Sequence, residues 1–590
     1  MILFLIQMPD WHYVMHGIAY AIIFIFGISV LLQNKLMKFR LNWISSFALL
    51  IFIYLTISLF WSVVPSLSIF SFLLYSALPL LIIINAFQEE RWINFEQVYT
   101  VIVAIGIGVS IYAYYQFFSN AGYFASTANL PFYNPNSLAV FLGICGVISL
   151  SRIRNNQLYV GALIIILIAL VMTGSRAGVL IFSLIALFVI LSQIYSQAKN
   201  AREFKLPLLG YIILIISLYG LPFVLDMFID GGILSSDQMT YGDDFASARL
   251  RIWVSSIQAA IATHPFIGNG LGTFYHIYSG FRAPNDNTMG MHAHNDVLHL
   301  WVEIGFIGLL IFVLLAIGVF KIIQKIMCNL NVHADKILSL SLLLFIGGMG
   351  MLTPIILLPI LLLILTMVIL DLETLLKNRY LQVHRTPNIL AVVFMCMLGI
   401  IGITSMQYYH TQKMNRAFSD LDFNGFYHHV QALEMYSLRQ NMTVPVMQAA
   451  LLSSIIDNNL IDNDQREEAM SEIQEYIDEA KRRNPYNADI FYYEADLALK
   501  RSNEQSAISI LKRALEYNPR HALIRLKLIN LSKDNKYKLI LLRDGLQYQY
   551  WQQDPTRLYK LSQVMGEAYN DQELVLRAKQ AEMNYMRLKK

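Results

Sequence analysis

Long apolar segments fill the first part of this chain. About twelve runs before residue 407 are long enough to cross a bilayer, which takes roughly 20 apolar residues as a helix. Such runs fold as helices, because every backbone polar group in lipid must be bonded internally. The sequence therefore predicts an all-α protein with about twelve transmembrane helices. The runs lie at 13–33, 43–60, 66–86, 98–118, 136–151, 158–174, 177–196, 206–226, 297–320, 336–351, 352–370 and 387–406.

Charged residues divide the chain near residue 406. Residues 1–406 hold 19 Lys+Arg and 16 Asp+Glu, whereas the shorter stretch 407–590 holds 25 and 24. We therefore expect a membrane domain over 1–406, with a large loop at 227–296, and a soluble domain over 407–590. The net charge of +4 averages two unlike parts, so it does not point to a nucleic-acid partner. The three cysteines indicate neither a disulfide framework nor a cysteine metal site.

The loops between the apolar runs differ in their basic content. Fifteen Lys and Arg residues of the membrane domain fall in alternate loops, which should be cytoplasmic. The large loop and the soluble domain are then expected on the opposite side. That outer side holds only four basic residues, and a guanidinium fork suits bidentate phosphate binding, although pairing with nearby acids is the alternative. The four are Arg176, Arg249, Arg251 and Arg282.

A polar stretch enters the apolar run at 297–320 from the outer side. Residues 292–305 read HAHNDVLHLWVEIG. A helix from Asp296 would place Asp296, His299 and Glu303 on one face, with His294 and Asn295 near its N-terminus, where an anion is favoured. It costs free energy to place ionisable side chains where a loop enters an apolar, membrane-spanning run, so the stretch indicates a functional site. A loop that only caps the helix is the alternative.

The soluble domain contains an internal repeat. Asn-Pro occurs at 484–485 and at 518–519, which are 34 residues apart, the period of tetratricopeptide helix pairs. Apolar spacing between these turns predicts two helices, over 488–500 and 504–517. We expect a TPR-like α-solenoid whose concave surface binds a partner chain. An ordinary helical bundle is the alternative.

Four more short motifs fall on the outer side. Residues 134–137 read NPNS, 173–178 TGSRAG, 247–253 SARLRIW and 264–274 HPFIGNGLGTF. Their order and spacing, followed by the histidine motif, resemble the superfamily of membrane glycosyltransferases that comprises O-antigen ligases, O-antigen polymerases and bacterial O-oligosaccharyltransferases. The resemblance covers roughly residues 100–320.

This resemblance implies a GT-C-like helical fold in the bacterial inner membrane. It also implies a polyprenyl-diphosphate-linked oligosaccharide donor that is used at the periplasmic face, without a metal or another cofactor. Arg176 and Arg249 match the family's essential arginines and would bind the diphosphate, and His294 matches its key histidine. Arg251 and Arg282 match the family less closely. His299 occupies a position that holds another polar residue in many members, which implies a supporting role.

The chemistry of the residues agrees with this resemblance. A hydroxyl that attacks an anomeric carbon needs a base, and the ordinary histidine pKa of about 6.5 suits that role. The diphosphate needs only charge stabilisation, from arginines and loop N–H groups. We therefore predict direct displacement with inversion, with His294 as the base and His292 as its substitute. Glu303 either holds a histidine in the correct tautomer or only contributes to packing.

The remaining candidates concern the sugar and a metal. Asn136 and Gln116 are candidates for hydrogen bonds to the glycan, and Asn295 lies where an anionic substrate is expected. His292 and His294 could chelate Zn²⁺, but the family does not need a metal and no cysteine supports a site.

The acceptor distinguishes the members of this superfamily. It is the lipid A core for ligases, another repeat unit for polymerases and a protein Ser/Thr for oligosaccharyltransferases. The stretch 407–590 resembles the C-terminal region of PglL-type O-oligosaccharyltransferases, which implies transfer to a pilin or another periplasmic protein. Ligase and polymerase activities are the alternatives. A receptor or a transporter is a different class, but transporters usually carry internal repeats and mid-membrane charges, and the polar clusters here lie at the ends of the runs.

Overall fold

The computed structural model shows a helical protein with one small sheet. Its membrane part follows the predicted runs closely, and its last third is an array of helices. The residues that it describes are 21, 24–25, 37–87, 94–119, 132, 134–153, 156–197, 245–283, 286, 290–328, 334–356, 358–376, 379–383, 386–437, 439–548, 550 and 554–589.

Ten of the twelve predicted runs coincide with helices in the described part of the chain. The runs 13–33 and 206–226 lie outside the described residues, apart from 21 and 24–25. Within the described residues, six helices are long and apolar enough to cross a membrane, namely α2, α3, α4, α6, α9 and α12, so the number twelve stays a prediction. The helices up to residue 419 are α1 Trp43–Ser58, α2 Pro65–Ala86, α3 Phe95–Phe118, α4 Pro135–Arg152, α5 Leu158–Met172, α6 Arg176–Gln197, α7 Phe245–Ala262, α8 Phe274–Tyr278, α9 Asp296–Cys328, α10 Ile337–Gly350, α11 Pro359–Glu373 and α12 Thr386–Ser419.

Helix α4 lies at the centre of the membrane part. Every residue from Ser137 to Ser149 is buried, and α4 packs against α3, α5, α6 and α10. Its small residues allow large rings to approach, since a Cβ at Gly143 would lie 2.2 Å from the ring of Phe345.

The all-α expectation is corrected by two short strands. β1 (Met37–Leu41) and β2 (Arg379–Val383) form an antiparallel pair with Met37 opposite Val383. They join two of the basic loops, which therefore lie on one side of the bundle. An ion pair of 2.7 Å between Lys336 and Asp371 lies at the same end. These contacts are consistent with the predicted grouping of the basic loops.

The motif-bearing loops meet at the opposite end. The N–H of Val63 donates to the carbonyl of Asn269 over 2.9 Å, and the N–H of Ile355 donates to the carboxylate of Asp296 over 3.1 Å. The loop after α1 is thus joined to the loop after α7, and the start of α9 is joined to the loop after α10. Which end faces the periplasm stays a prediction.

The last third of the chain is a continuous array of helices in which successive members pack together. Helix α12 continues from 386 to 419, so it crosses the predicted domain boundary at 406 without a break. The two helices predicted over 488–500 and 504–517 are present with those bounds. The helices are α13 Phe423–Tyr436, α14 Val444–Asp457, α15 Asn463–Arg483, α16 Ala488–Lys500, α17 Glu504–Tyr517, α18 Ala522–Leu531, α19 Asn535–Gly545, α20 Thr556–Ala568 and α21 Gln572–Lys589.

The Asn-Pro repeat corresponds to a repeated turn. Asn484 ends α15 with φ −153° and ψ 92°, and Asn518 ends α17 with φ −146° and ψ 90°. Each asparagine side chain accepts a hydrogen bond from the N–H two residues later, that of Tyr486 (3.2 Å) and that of Arg520 (3.1 Å). The sequence repeat is therefore a structural repeat, while its assignment as TPR-like stays a prediction.

Candidate active site

The histidine motif begins helix α9, which starts at Asp296 as predicted. Asn295 caps this helix, because its side-chain oxygen accepts a hydrogen bond from the N–H of Leu298 over 3.1 Å. The carboxylate of Asp296 bonds the loop after α10, whereas His299 and Glu303 contact each other over 3.3 Å. Of the three residues predicted to share a face, only the last two therefore act together.

The carboxylate of Glu303 is fully enclosed. Besides His299, it accepts a hydrogen bond from the hydroxyl of Tyr75 (2.9 Å) and one from the N–H of Phe274 (3.3 Å). The ring of Phe274 also stacks on His299, with centroids 4.5 Å apart. Tyr75 comes from α2, and sequence reasoning missed it because a single tyrosine in an apolar run gives no motif. The three partners fix Glu303 and, through it, His299.

A break in α9 explains the glycine-rich motif. Gly305 has φ 69° and ψ −177°, so the helix opens there, and the freed carbonyl of Glu303 accepts the N–H of Gly270 over 2.9 Å. At Gly268, where φ is 76°, a Cβ would lie 2.2 Å from that same carbonyl oxygen. Only glycine permits this approach. The glycine-rich motif at 264–274 thus crosses the backbone of α9 beside Gly305, and this crossing supports the site.

The other two motif histidines lie in the loop before α9. His294 has φ 50°, in the left-handed region that non-glycine residues rarely adopt. Burial lowers the pKa of His294 to about 4; the charge of Arg249 acts in the same direction, and that of Asp286 opposes it. Burial also lowers the pKa of His292 to about 3. Both side chains are therefore neutral at pH 7, which is the form that accepts a proton.

His292 and His299 face one another across a small space. Their ring centroids are 6.0 Å apart. The Nδ1 atoms of both rings are buried and have no hydrogen-bond partner among the described residues. Buried polar atoms are normally bonded, so these two nitrogens indicate a place where a ligand or water could bind.

The four outer arginines occupy different surroundings. Arg249 in α7 is buried, and burial lowers its pKa to about 10, so it remains a cation at neutral pH. Arg251 lies half-buried on the same helix, and Arg176 is exposed at the start of α6. Arg282 forms an ion pair with Asp286 over 2.7 Å. The alternative that the sequence left open, pairing with an acid, therefore holds for Arg282.

The other polar candidates lie on the helices of the membrane bundle. The hydroxyl of Ser175 donates to the side-chain oxygen of Asn136 over 2.7 Å and joins the starts of α4 and α6 beside Arg176. Gln116 is buried in α3. In the described part of the chain, no hydrogen bond or ion pair of Asn136 or Ser175 reaches the histidines. Asn136 and Ser175 thus link the starts of α4 and α6 next to Arg176.

The described residues include no group of three or more histidine, cysteine, aspartate or glutamate side chains arranged to hold a metal ion. Residues 161–313 match the family model described as O-Antigen ligase. This part of the chain is an O-antigen ligase domain. No curated protein and no solved structure gives a significant match to the chain.

The match confirms the resemblance to the O-antigen ligase superfamily. The O-antigen ligase domain runs from α5 into α9, so it contains the glycine-rich motif at 264–274 and the histidine motif at 292–305. All the predicted site residues except Gln116 and Asn136 lie within it. At this level the chain is a multi-pass membrane protein with an activity of the O-antigen ligase kind, which transfers a glycan from a lipid-linked donor.

Proposed function

We propose that this protein transfers a preassembled glycan from polyprenyl diphosphate to Ser/Thr hydroxyls of periplasmic proteins such as pilins. The observation that carries the proposal is the neutral His294, held in a left-handed conformation within electrostatic reach of the buried Arg249. A neutral base and a fixed cation on one loop match the two needs of the reaction, deprotonation of a hydroxyl and stabilisation of a leaving diphosphate.

The reaction is a single displacement. The acceptor oxygen bonds to the anomeric carbon as the bond from that carbon to the diphosphate oxygen breaks, which inverts the configuration. His294 takes the hydroxyl proton, and the leaving diphosphate takes the electron pair of the broken bond. Arg249 and Arg176 stabilise the charge that develops on the leaving group. Arg282, which is paired with Asp286, shapes the loop, and Glu303 orients His299.

The test is transfer by the purified full-length protein in liposomes, with a lipid-diphosphate-linked oligosaccharide and a serine-containing acceptor protein. His294→Ala should lower the rate by about 10²-fold or more, the usual contribution of a positioned base. Arg249→Ala and Arg176→Ala should lower it as well. His428→Ala, at an exposed tail position, is the matched control and should retain the wild-type rate. Normal transfer by all three site variants would contradict the proposed site.

The second candidate function is that of an O-antigen ligase with a lipid A core acceptor. The description of the matched family favours it, whereas the long helical tail favours a protein acceptor, since helical arrays of this kind present surfaces to partner chains. Intact masses of periplasmic proteins from cells with wild-type or His294→Ala protein separate the two. Loss of a glycan mass from a protein supports protein glycosylation. Unchanged protein masses with a shortened lipopolysaccharide ladder support the ligase.

A further inference from the structure

Both Asn-Pro turns of the tail contact the loop that leads into the histidine motif. The amide nitrogen of Asn484 lies 3.3 Å from Nδ1 of His276. In the equivalent turn, Nη2 of Arg520 donates to the carbonyl of Ala283 over 2.6 Å and to that of Asp286 over 3.0 Å. The two turns therefore contact two points of one loop, through different positions of the repeat, and acceptor docking does not require such contacts.

Arg520 is built into this interface. Its side chain is buried, and the guanidinium lies 5.2 Å from the centre of the Tyr548 ring. Burial lowers the pKa of Arg520 to about 10, so it remains a cation at neutral pH. A third hydrogen bond goes to the backbone carbonyl of Arg282 at 3.5 Å. Arg520 thus binds the backbone of the loop at three positions.

The segment that Arg520 binds also influences His294, the candidate base. Asp286 is buried and accepts hydrogen bonds from Nε of Arg282 (2.7 Å) and from the hydroxyl of Tyr278 (2.9 Å). Its negative charge acts on His294. Tyr486, in the first Asn-Pro turn, packs against the apolar cluster that contains Tyr278 and Ala293, the residue before His294. Polar and apolar contacts both lead from the tail to the histidine.

We propose that Arg520 is a positioning residue of the active site, which holds the backbone at Arg282, Ala283 and Asp286 so that the side chains of Arg282 and Asp286 stay in place relative to His294. The tail is then a structural part of the catalytic loop in addition to any role with the acceptor. This inference rests on the proposed function for the role of His294. The effect of Arg520 on the order of the loop can be measured independently of that role.

The test compares full-length Arg520→Ala and Arg520→Lys with wild type. Arg543→Ala is the matched control, because that arginine of the same tail is half exposed and pairs with Asp571. Arg520→Ala should speed hydrogen exchange of the amides at 276–295 and lower kcat by about 10²-fold, as small misplacements do, with an unchanged KM for the acceptor. Arg520→Lys should recover part of both, since it keeps the charge but not the fork. Arg543→Ala should match wild type.

A further readout separates positioning from general destabilisation. The charge of Asp286 raises the pKa of His294, so its displacement in Arg520→Ala should move the acid limb of the kcat–pH profile to lower pH. If Arg520→Ala does not fold, Asn484→Ala tests the other turn with the same loop exchange. Wild-type exchange and kcat in the folded variants would overturn the proposal, as would a raised acceptor KM at unchanged kcat. If His294→Ala transfers normally, the proposed function fails, while the exchange result still decides whether Arg520 holds the loop.

Discussion

Nε2 of His299 lies 3.3 Å from a carboxylate oxygen of Glu303, one turn later on α9, and both side chains are buried. Nδ1 of His299, on the other side of the ring, is buried and has no hydrogen-bond partner among the described residues. The sequence left two roles open for Glu303, and this geometry favours the first, in which it fixes a histidine tautomer. The histidine concerned is His299, however, and not His294.

Glu303→Gln tests that role. The amide keeps the shape but removes the charge and can donate to His299, so the ring loses its fixed tautomer. We expect a fall in transfer rate of about tenfold to a hundredfold, the usual effect of removing a carboxylate that orients a functional histidine. The measurement is kcat in the liposome assay. Tyr75→Phe, which removes one hydrogen bond to Glu303, should cost only about 1 kcal/mol of stability. An unchanged rate for Glu303→Gln would assign Glu303 to packing alone.

The crossing of the glycine-rich motif with α9 at Gly305 predicts that a side chain added there lowers the stability of the protein strongly. In Gly305→Ala the new Cβ would lie 2.4 Å from the amide nitrogen of Gly268, at a φ of 69°. We expect a loss of several kcal/mol or failure to fold, because steric conflict adds to backbone strain. Gly347→Ala in α10 is the control, since nothing lies within 4 Å of its Cβ position; it should be neutral. Thermal unfolding in detergent measures both. Equal melting temperatures for the two variants would argue against the crossing.

Local features of this fold could be predicted from sequence because they depend on local patterns. The helices over 488–500 and 504–517 follow from apolar spacing between the two Asn-Pro turns, and the structure adds that Asn487 and Asn503 cap their starts. The start of α9 at Asp296 follows from the change from polar to apolar residues. The grouping of His299 with Glu303 follows from the spacing of one helical turn.

Features that depend on distant contacts could not be predicted. Nothing near Tyr75 indicates a bond to Glu303, which is 228 residues away. The position of Arg520 in the tail gives no sign that it binds carbonyls at 283 and 286. The strand pair was missed because β1 and β2 are five residues long and lie in loops that read as basic links. Such contacts are set by packing of the whole chain.

The different surroundings of Arg249 and Arg282 predict different kinetic effects. The charge of Arg282 is balanced by that of Asp286, 2.7 Å away. Arg249 is instead buried in α7, and its charge acts on His294. Arg249→Ala should therefore lower kcat for transfer by about 10²-fold, as expected when a donor to the developing charge is removed. Arg282→Ala should have a smaller effect and should mainly increase hydrogen exchange at 276–295. Equal losses of kcat, with no change in exchange, would show that Arg282 also contacts the donor.

The loop–tail contact should weaken in acid because of His276. Burial lowers the pKa of His276 to about 4, and Asp489 opposes this shift. The unfolded chain, with a histidine pKa of about 6.5, binds more protons between these values, so the free energy of unfolding must fall as pH drops from about 6.5 to 4. One such group contributes of the order of 1 to 3 kcal/mol. His276→Gln should lose part of this pH dependence, whereas His264→Gln, at an exposed position, should keep it. Melting temperatures at pH 7.5, 5.5 and 4.5 would measure the slopes, and equal slopes for wild type and His276→Gln would show that His276 does not contribute to this pH dependence.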